Sequence, residues 1–334
     1  MNHDNPRSRT DSLRVGFIGA GTAGTSFGQY IAARIAERGD TNVRLTGYFS
    51  RNPDSAKSAA ALTGSAAFVS DVRLAEGSDI VFFSVPDGAV ESAFTDLIGR
   101  CANAGATLSG KMFAHLSGSL SSEILRFART RDETGKPGPP ETRDAPDQGG
   151  GRDARIAAEW RAFSLHPACA IPDRETAWNR LRDACFVFEG SDGVRARIAP
   201  LLELIGNRVG AIAPERKILY HAACVFLSNF SVALAAEGVA LLASCGLDEE
   251  IASGFLGALF LGNAKNVAAK GPAAALTGPV ERGDADTIRK HIDAIADLGD
   301  ESVLRVYRDL TGILLRVAQE KHPDRDYAAI SELI

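Results

Sequence analysis

The sequence predicts an α/β protein: a doubly wound, mostly parallel sheet followed by an all-α C-terminal domain. Three observations carry this. An apolar stretch beginning at Val15 runs directly into Gly19-Ala20-Gly21-Thr22-Ala23-Gly24, a Gly-x-Gly-x-x-Gly turn set between a strand and a helix. Strand-like and helix-like segments then alternate through the first half of the 334-residue chain. Past residue 193 the pattern becomes wholly helical.

Residues 15–18 read as the first strand. Gly19 allows a tight turn, Gly21 lets a pyrophosphate approach the backbone, and Gly24 lets a helix pack close to the strand. Phe27, Ile31 and Ile35 recur at helical spacing, so 24–38 is a helix. Its N-terminus offers free N–H groups and a positive dipole end to an anion. Thr22 and Ala23 join the three glycines in that cradle. Strands at 43–49, 80–85 and 112–116 alternate with helices at 53–62, 88–98 and 121–129, the pattern of a doubly wound sheet. Ligands in such sheets bind beyond the carboxyl ends of the strands. That rule gathers residues 19–24, Ser50, Arg51, Val85, Pro86, Asp87, Ser117 and Gly118 around one crevice. Residues 130–155 are rich in Gly, Pro and charge and too polar to offset the cost of ordering, so they read as a flexible insertion. A functional lid is the competing reading. Two further strands, at 162–165 and 185–188, close a first domain of residues 12–192. The second domain, 193–334, holds helices at 215–244, 248–261, 284–298 and 301–320. The first of these would span about 45 Å.

Hydrophobic residues at 45%, charged residues at 24% and a net charge of -5 describe an ordinary globular protein with no call on nucleic acid. The five cysteines have no Cys-x-x-Cys spacing and no metal-ligating pattern, which suits a reducing cytoplasm. The segment before Ser12 is polar and has no secretory character. Residues 220–245 are long and apolar, but His221, Ser228, Asn229, Ser231 and Glu237 interrupt them. A buried helix of a soluble protein is expected there, not a membrane span.

The second strand ends in Ser50-Arg51, where an Asp or Glu would bind the ribose hydroxyls of NAD. A hydroxyl and a guanidinium suit a 2′-phosphate instead, so NADP is favoured, with NAD possible. Val85, Pro86 and Asp87 after the next strand, and Ser117 after the one beyond, can lie against the cofactor or serve as turn chemistry. His166-Pro167 ends a later strand, in a structural or a functional role. On the long helix Lys217, His221, Cys224 and Ser228 fall at i, i+4, i+7 and i+11, on one face, with Asn229 beside them. An unpaired buried polar group costs about 1–3 kcal/mol. The stripe must therefore face water, an interhelical network or a ligand. In the last case His221 is the general acid, Lys217 polarises the substrate or binds a carboxylate, and Ser228 and Asn229 orient it. Adjacent cations repel, so His221 is expected neutral unless an anion lies between it and Lys217.

Taken together these segments resemble the two-domain Rossmann-like oxidoreductases whose C-terminal helical domain has no assigned function, relatives of ketopantoate reductase, pyrroline carboxylate reductase and the phosphogluconate-type hydroxyacid dehydrogenases. The similarity rests on the glycine turn, Ser50-Arg51, Val85-Pro86-Asp87, residues 115–118, residues 164–167, Lys217-x-x-Tyr220-His221-Ala222-Ala223, Ser228-Asn229 and Leu276-Thr277-Gly278-Pro279-x-x-Arg282-Gly283-Asp284. Lys217 and Asn229 match the lysine and asparagine that the wider superfamily uses, at longer spacing. The resemblance implies a nicotinamide cofactor, a small-molecule substrate and a homodimer through the helical domains. The expected activity is NADP-dependent hydride transfer to a small carbonyl or imine, such as a ketopantoate-like 2-oxo acid. The alternative is a dinucleotide-binding sensor or scaffold without turnover.

Overall fold

The computed structural model describes residues 12–126 and 160–334. The tail before Ser12 and the expected insertion at 130–155 lie outside the described residues.

Eight strands form one sheet in the order β3-β2-β1-β4-β5-β6-β7-β8. They are β1 Leu13–Ile18, β2 Val43–Phe49, β3 Ala66–Phe68, β4 Ile80–Phe83, β5 Met112–His115, β6 Arg161–Ala168, β7 Cys185–Glu189 and β8 Val209–Ala211. All neighbours pair in parallel except β6 and β7. The order reverses between β1 and β4, the switch point at which such sheets bind ligands.

Helix α1 (Thr22–Arg38) leaves the glycine turn and ends at Gly39, whose φ of 60° suits a left-handed cap. Helix α2 (Pro53–Thr63) starts with Asn52 accepting from the Asp54 amide and Pro53 at its first position. Helix α3 (Asp71–Gly77) is capped by Ser70. The fourth, α4 (Asp87–Ala104), outruns its expected end at 98. The expected helix at 121–129 is a 3-10 turn, Ser122–Leu125, where described.

One face of the sheet buries Phe17, Tyr48, Phe82, Phe163, Phe186 and Phe188 against Phe27 and Ile31 of α1. The other buries Val81, Phe83 and Phe113 against Phe94 and Leu97 of α4, with Trp160 beside them.

The chain divides into two compact units, the first ending at Val225 and the second starting at Phe226. The sequence boundary at 193 falls inside the first unit, where α5 (Asp192–Arg197), α6 (Ala199–Ile205) and β8 extend the sheet domain. The expected single helix at 215–244 is two, α7 (Lys217–Leu227) and α8 (Asn229–Ser244). They are interrupted at Ser228, whose φ of -122° and ψ of -70° are not helical. Serine competes with helix geometry through local side-chain bonds, and Ser231 Oγ donates to the freed Ser228 carbonyl at 2.5 Å. The expectation of a buried helix is also corrected. Lys217 alone is buried in α7 and no residue is buried in α8, while Leu219, Phe226, Leu227, Phe230 and Val232 are exposed. Helical periodicity reports an apolar surface but not what covers it.

The second unit continues through α9 (Glu249–Phe255), a π-helical stretch (Leu256–Phe260) and α10 (Leu261–Lys270). Its core lies between α11 (Ala285–Ala296) and α12 (Glu301–Lys321), where Ile288, Ile292 and Ile295 meet Leu304, Leu315 and Ala318.

Candidate active site

Gly19 has φ +102°, and a Cβ there would lie 2.5 Å from the Ser84 carbonyl oxygen. Only glycine can make this turn off β1. A Cβ on Gly24 would overlap Ser84 Oγ, so that glycine sets how closely α1 approaches the end of β4. Gly21, the N-cap of α1, makes no side-chain capping bond, and the first turn holds no acidic residue. The leading amides of a 17-residue helix, with Thr22 and Ala23 half-buried among them, thus end in an uncapped, unopposed positive terminus. The Ala20 carbonyl accepts from Arg174 Nη2 at 2.8 Å, bringing a guanidinium to the same turn. At the end of β2, Ser50 is half-buried and Arg51 exposed, just before the Asn52 cap. An anionic dinucleotide with a 2′-phosphate fits this cradle.

Val85 and Pro86 carry the chain from β4 into α4, whose first residue is Asp87. Asp87 Oδ2 accepts from Ser117 Oγ at 2.6 Å and Ser119 Oγ at 2.9 Å, which ties the loop after β5 to the loop after β4. Asp87 and Ser117 are therefore partners of each other.

Beyond these loops lies a polar row. His115 on β5, Ser164 on β6 and Glu189 on β7 are register partners, so their side chains share one face of the sheet. All three are fully buried. The Glu189 carboxylate accepts from Ser121 Oγ (3.1 Å), the Ser122 amide (3.0 Å to Oε2), Ser122 Oγ (2.8 Å) and Ser164 Oγ (3.2 Å). Ser164 Oγ in turn accepts from Lys217 Nζ at 2.5 Å. Lys217 is 1% exposed, and its ammonium sits 5.9 Å from the centre of the Tyr220 ring.

Two more imidazoles close the cluster. His166 Nδ1 and Tyr220 Oη are 2.6 Å apart. A Cβ added to Gly118 would lie 2.7 Å from His221 Nδ1 and 2.9 Å from His166 Nε2, so both rings converge on a bare stretch of backbone. His221 Nδ1 is buried with no hydrogen-bond partner among the described residues. Burial, reinforced by the Lys217 charge, pushes His115 and His166 down to about 4. Burial also lowers Lys217 below the usual lysine range, against the opposing pull of Glu189. At neutral pH the histidines at the ends of β5 and β6 are neutral. Each holds one donor and one acceptor beside a buried lysine.

Of the residues singled out on the long helix, the structure brings Lys217 and His221 into this cluster. Ser228 and Asn229 belong to the second unit, where Ser228 Oγ donates to Asn229 Oδ1 at 3.1 Å and both are exposed. Sequence reasoning missed Glu189 and Arg174, and gave Ser164 and His115 no role beyond the motifs that carry the family resemblance. The available signal was the alternation of β6, where Ala162, Ser164 and His166 oppose Phe163 and Leu165. Which residue of β7 would lie across from Ser164 depends on register, which alternation within one strand does not specify.

Residues 14–108 match the family described as NADP oxidoreductase, coenzyme F420-dependent, and residues 184–313 match a domain of unknown function, DUF2520. Among solved structures, protein TM1727 from Thermotoga maritima is 23% identical with a TM-score of 0.64, covering 92% of this chain and 99% of that one. An imine reductase from a Pseudomonas species is 13% identical with a TM-score of 0.53, covering 92% and 93%. A pyrroline carboxylate reductase from Plasmodium falciparum, solved with NADP bound, is 11% identical with a TM-score of 0.52, covering 92% and 98%. No curated protein sequence matches the chain. The shared fold, the glycine turn and the family matches define a two-domain Rossmann-like oxidoreductase. Within that class the chain is an NADP-dependent enzyme.

Proposed function

We propose that the enzyme reduces a small carbonyl or imine compound, with a 2-oxo acid or a cyclic imine as substrate class. NADPH, when bound, supplies the hydride, and residues 19–24, Ser50, Arg51 and Arg174 hold it. His221 donates the proton to the substrate oxygen or nitrogen. The convergence of His221 Nδ1 and His166 Nε2 on Gly118 carries this reading, because it places two imidazoles beside the loop that follows β5. Lys217 does not reach solvent, so it acts through its charge on the imidazoles rather than by touching substrate. Val85, Pro86 and Ser117 line the cofactor side, with Asp87 fixing Ser117. Oxidation of NADPH against a panel of 2-oxo acids and cyclic imines tests this directly. No turnover with any member of either class, by a protein that binds NADPH, would sink the substrate assignment.

The same reading makes the protein a homodimer through its helical region. Phe226, Leu227, Phe230, Val232 and Leu234 are exposed on the single chain, and a second copy is the partner whose matching surface would cover them. The stretch Pro214–Ser244 is also apolar and long enough to cross a membrane, with none of its most apolar window buried. The ammonium near its start is committed to Ser164 within the sheet domain, which favours the dimer. A reducing compartment such as the cytoplasm suits five free cysteines.

A further inference from the structure

We propose that Glu189, acting through the Ser164 hydroxyl, is the positioning residue that seats Lys217 as a buried ammonium among the imidazoles of the active site. This rests on the reductase reading only for its use in catalysis; the arrangement itself stands on the geometry. Glu189 is fully buried, and a carboxylate in that position needs compensation. It receives the Ser122 amide and three hydroxyls, from Ser121, Ser122 and Ser164, and no cation bonds it directly among the described residues. The nearest positive charge reaches it through one shared oxygen: Lys217 Nζ donates to Ser164 Oγ, and Ser164 Oγ donates to Glu189 Oε2. A serine hydroxyl has one proton to give. By giving it to the carboxylate it turns its lone pairs toward the ammonium, so charge on one partner fixes charge on the other.

The surroundings of Lys217 make this seat matter. From β5 it faces His115, from β6 His166, from the start of α4 Asp87, and from its own helix Tyr220, His221 and Cys224. Burial drives the ammonium toward neutrality, and Glu189 leads the groups that oppose it. The Lys217 charge in turn helps to hold His115 and His166 in the neutral form. Glu189 also pulls on His115 through space, so loss of the carboxylate should be felt at two residues that it does not bond.

The test needs no substrate. Full-length protein carrying lysine labelled with carbon-13 at Cε is titrated by NMR, with the Lys217 resonance assigned by its loss in Lys217→Arg. Histidine ring resonances are followed in the same samples. In Glu189→Gln the Lys217 titration should fall by at least about one pH unit, and the His115 titration should fall with it, because Lys217 stays charged where His115 titrates and the carboxylate that favours the imidazolium is gone. Ser164→Ala should lower the Lys217 titration by less and leave the histidines nearly in place. It serves as the deciding variant if Glu189→Gln does not fold. A Lys217 titration unchanged in a folded variant, or a wild-type Lys217 already neutral at pH 7, overturns the proposal. An inactive protein that shows these shifts would refute the reductase reading and leave the seat intact. An active protein without them would do the reverse.

Discussion

The proposed cofactor cradle draws on two guanidiniums, and their losses should be distinguishable. Arg51 follows the end of β2, where a 2′-phosphate would lie, whereas Arg174 is bonded to the carbonyl of Ala20 within the glycine turn. A guanidinium paired with a phosphate contributes on the order of 1.5–3 kcal/mol, or roughly ten- to a hundredfold in affinity. Arg51→Ala should weaken NADPH binding by that factor and leave NADH nearly untouched. Arg174→Ala should weaken both cofactors alike, because both carry the pyrophosphate. Fluorescence titration of the two variants with the two cofactors gives four constants, and equal losses in Arg51→Ala would remove the 2′-phosphate assignment. At His221 the expected loss is kinetic. A positioned general acid contributes about 10²–10⁴ in rate, so His221→Ala should lose that much turnover while NADPH affinity holds. A folded His221→Ala enzyme with wild-type single-turnover rates would strike the residue from the mechanism.

The ends of β5 and β6 carry a pH dependence that belongs to the strands more than to any one side chain. His115 and His166 are pushed from 6.5 to about 4 in the fold by burial. Above pH 6.5 neither the folded nor the unfolded chain binds protons there, and their contribution is complete. Between pH 6.5 and 4 the unfolded chain takes up protons that the folded chain refuses, so stability falls as pH falls. The loss can reach about 3 kcal/mol per histidine. Urea unfolding at pH 7 and pH 4.5 should show it, and His115→Gln should flatten the slope. A stability that is level across that window would show both rings charged in the fold or open to solvent. The strands themselves were legible in the sequence, because alternation of apolar β and helical segments survives without any knowledge of partners. β3, α3 and β8 were not. The two strands have three residues each, too few for a period to show. β3 is held by pairing with β2 at Gly47, where φ is +144° and a side chain would overlap the Ala66 carbonyl. The glycine turn and the Lys217–His221 spacing were legible for the same reason as the strands: they are local. The row His115, Ser164, Glu189 was not, because it exists only across three strands.

For the molecule as a whole, the exposed apolar residues on α7 and α8 decide the assembly. A dimer that covers Leu227 and Phe230 should sediment at twice the chain mass and show a melting temperature that rises with protein concentration. Leu227→Glu with Phe230→Glu should return it to single chains. A dimer that survives the double change would have its interface elsewhere, and recovery of the wild type in the membrane fraction would replace a second copy with lipid. A sequence boundary at 193 marks where strands give way to helices, close to residue 184 where the matched domain of unknown function begins, while the compact sheet unit holds on to the chain as far as Val225.

That hold has a consequence for how the chain is made. Ser122 waits 67 residues for the carboxylate that receives its amide, and Ser164 waits 53 for its ammonium. As the chain emerges from the ribosome, the strands through β6 can assemble while the row at their ends is still open. Glu189 then arrives to be buried before any lysine is there to answer it. A chain released or cut between 189 and 217 would carry a sheet nearly whole and an uncompensated charge inside it. Such fragments should stay loose and open to proteases until the first turn of α7 has been synthesised.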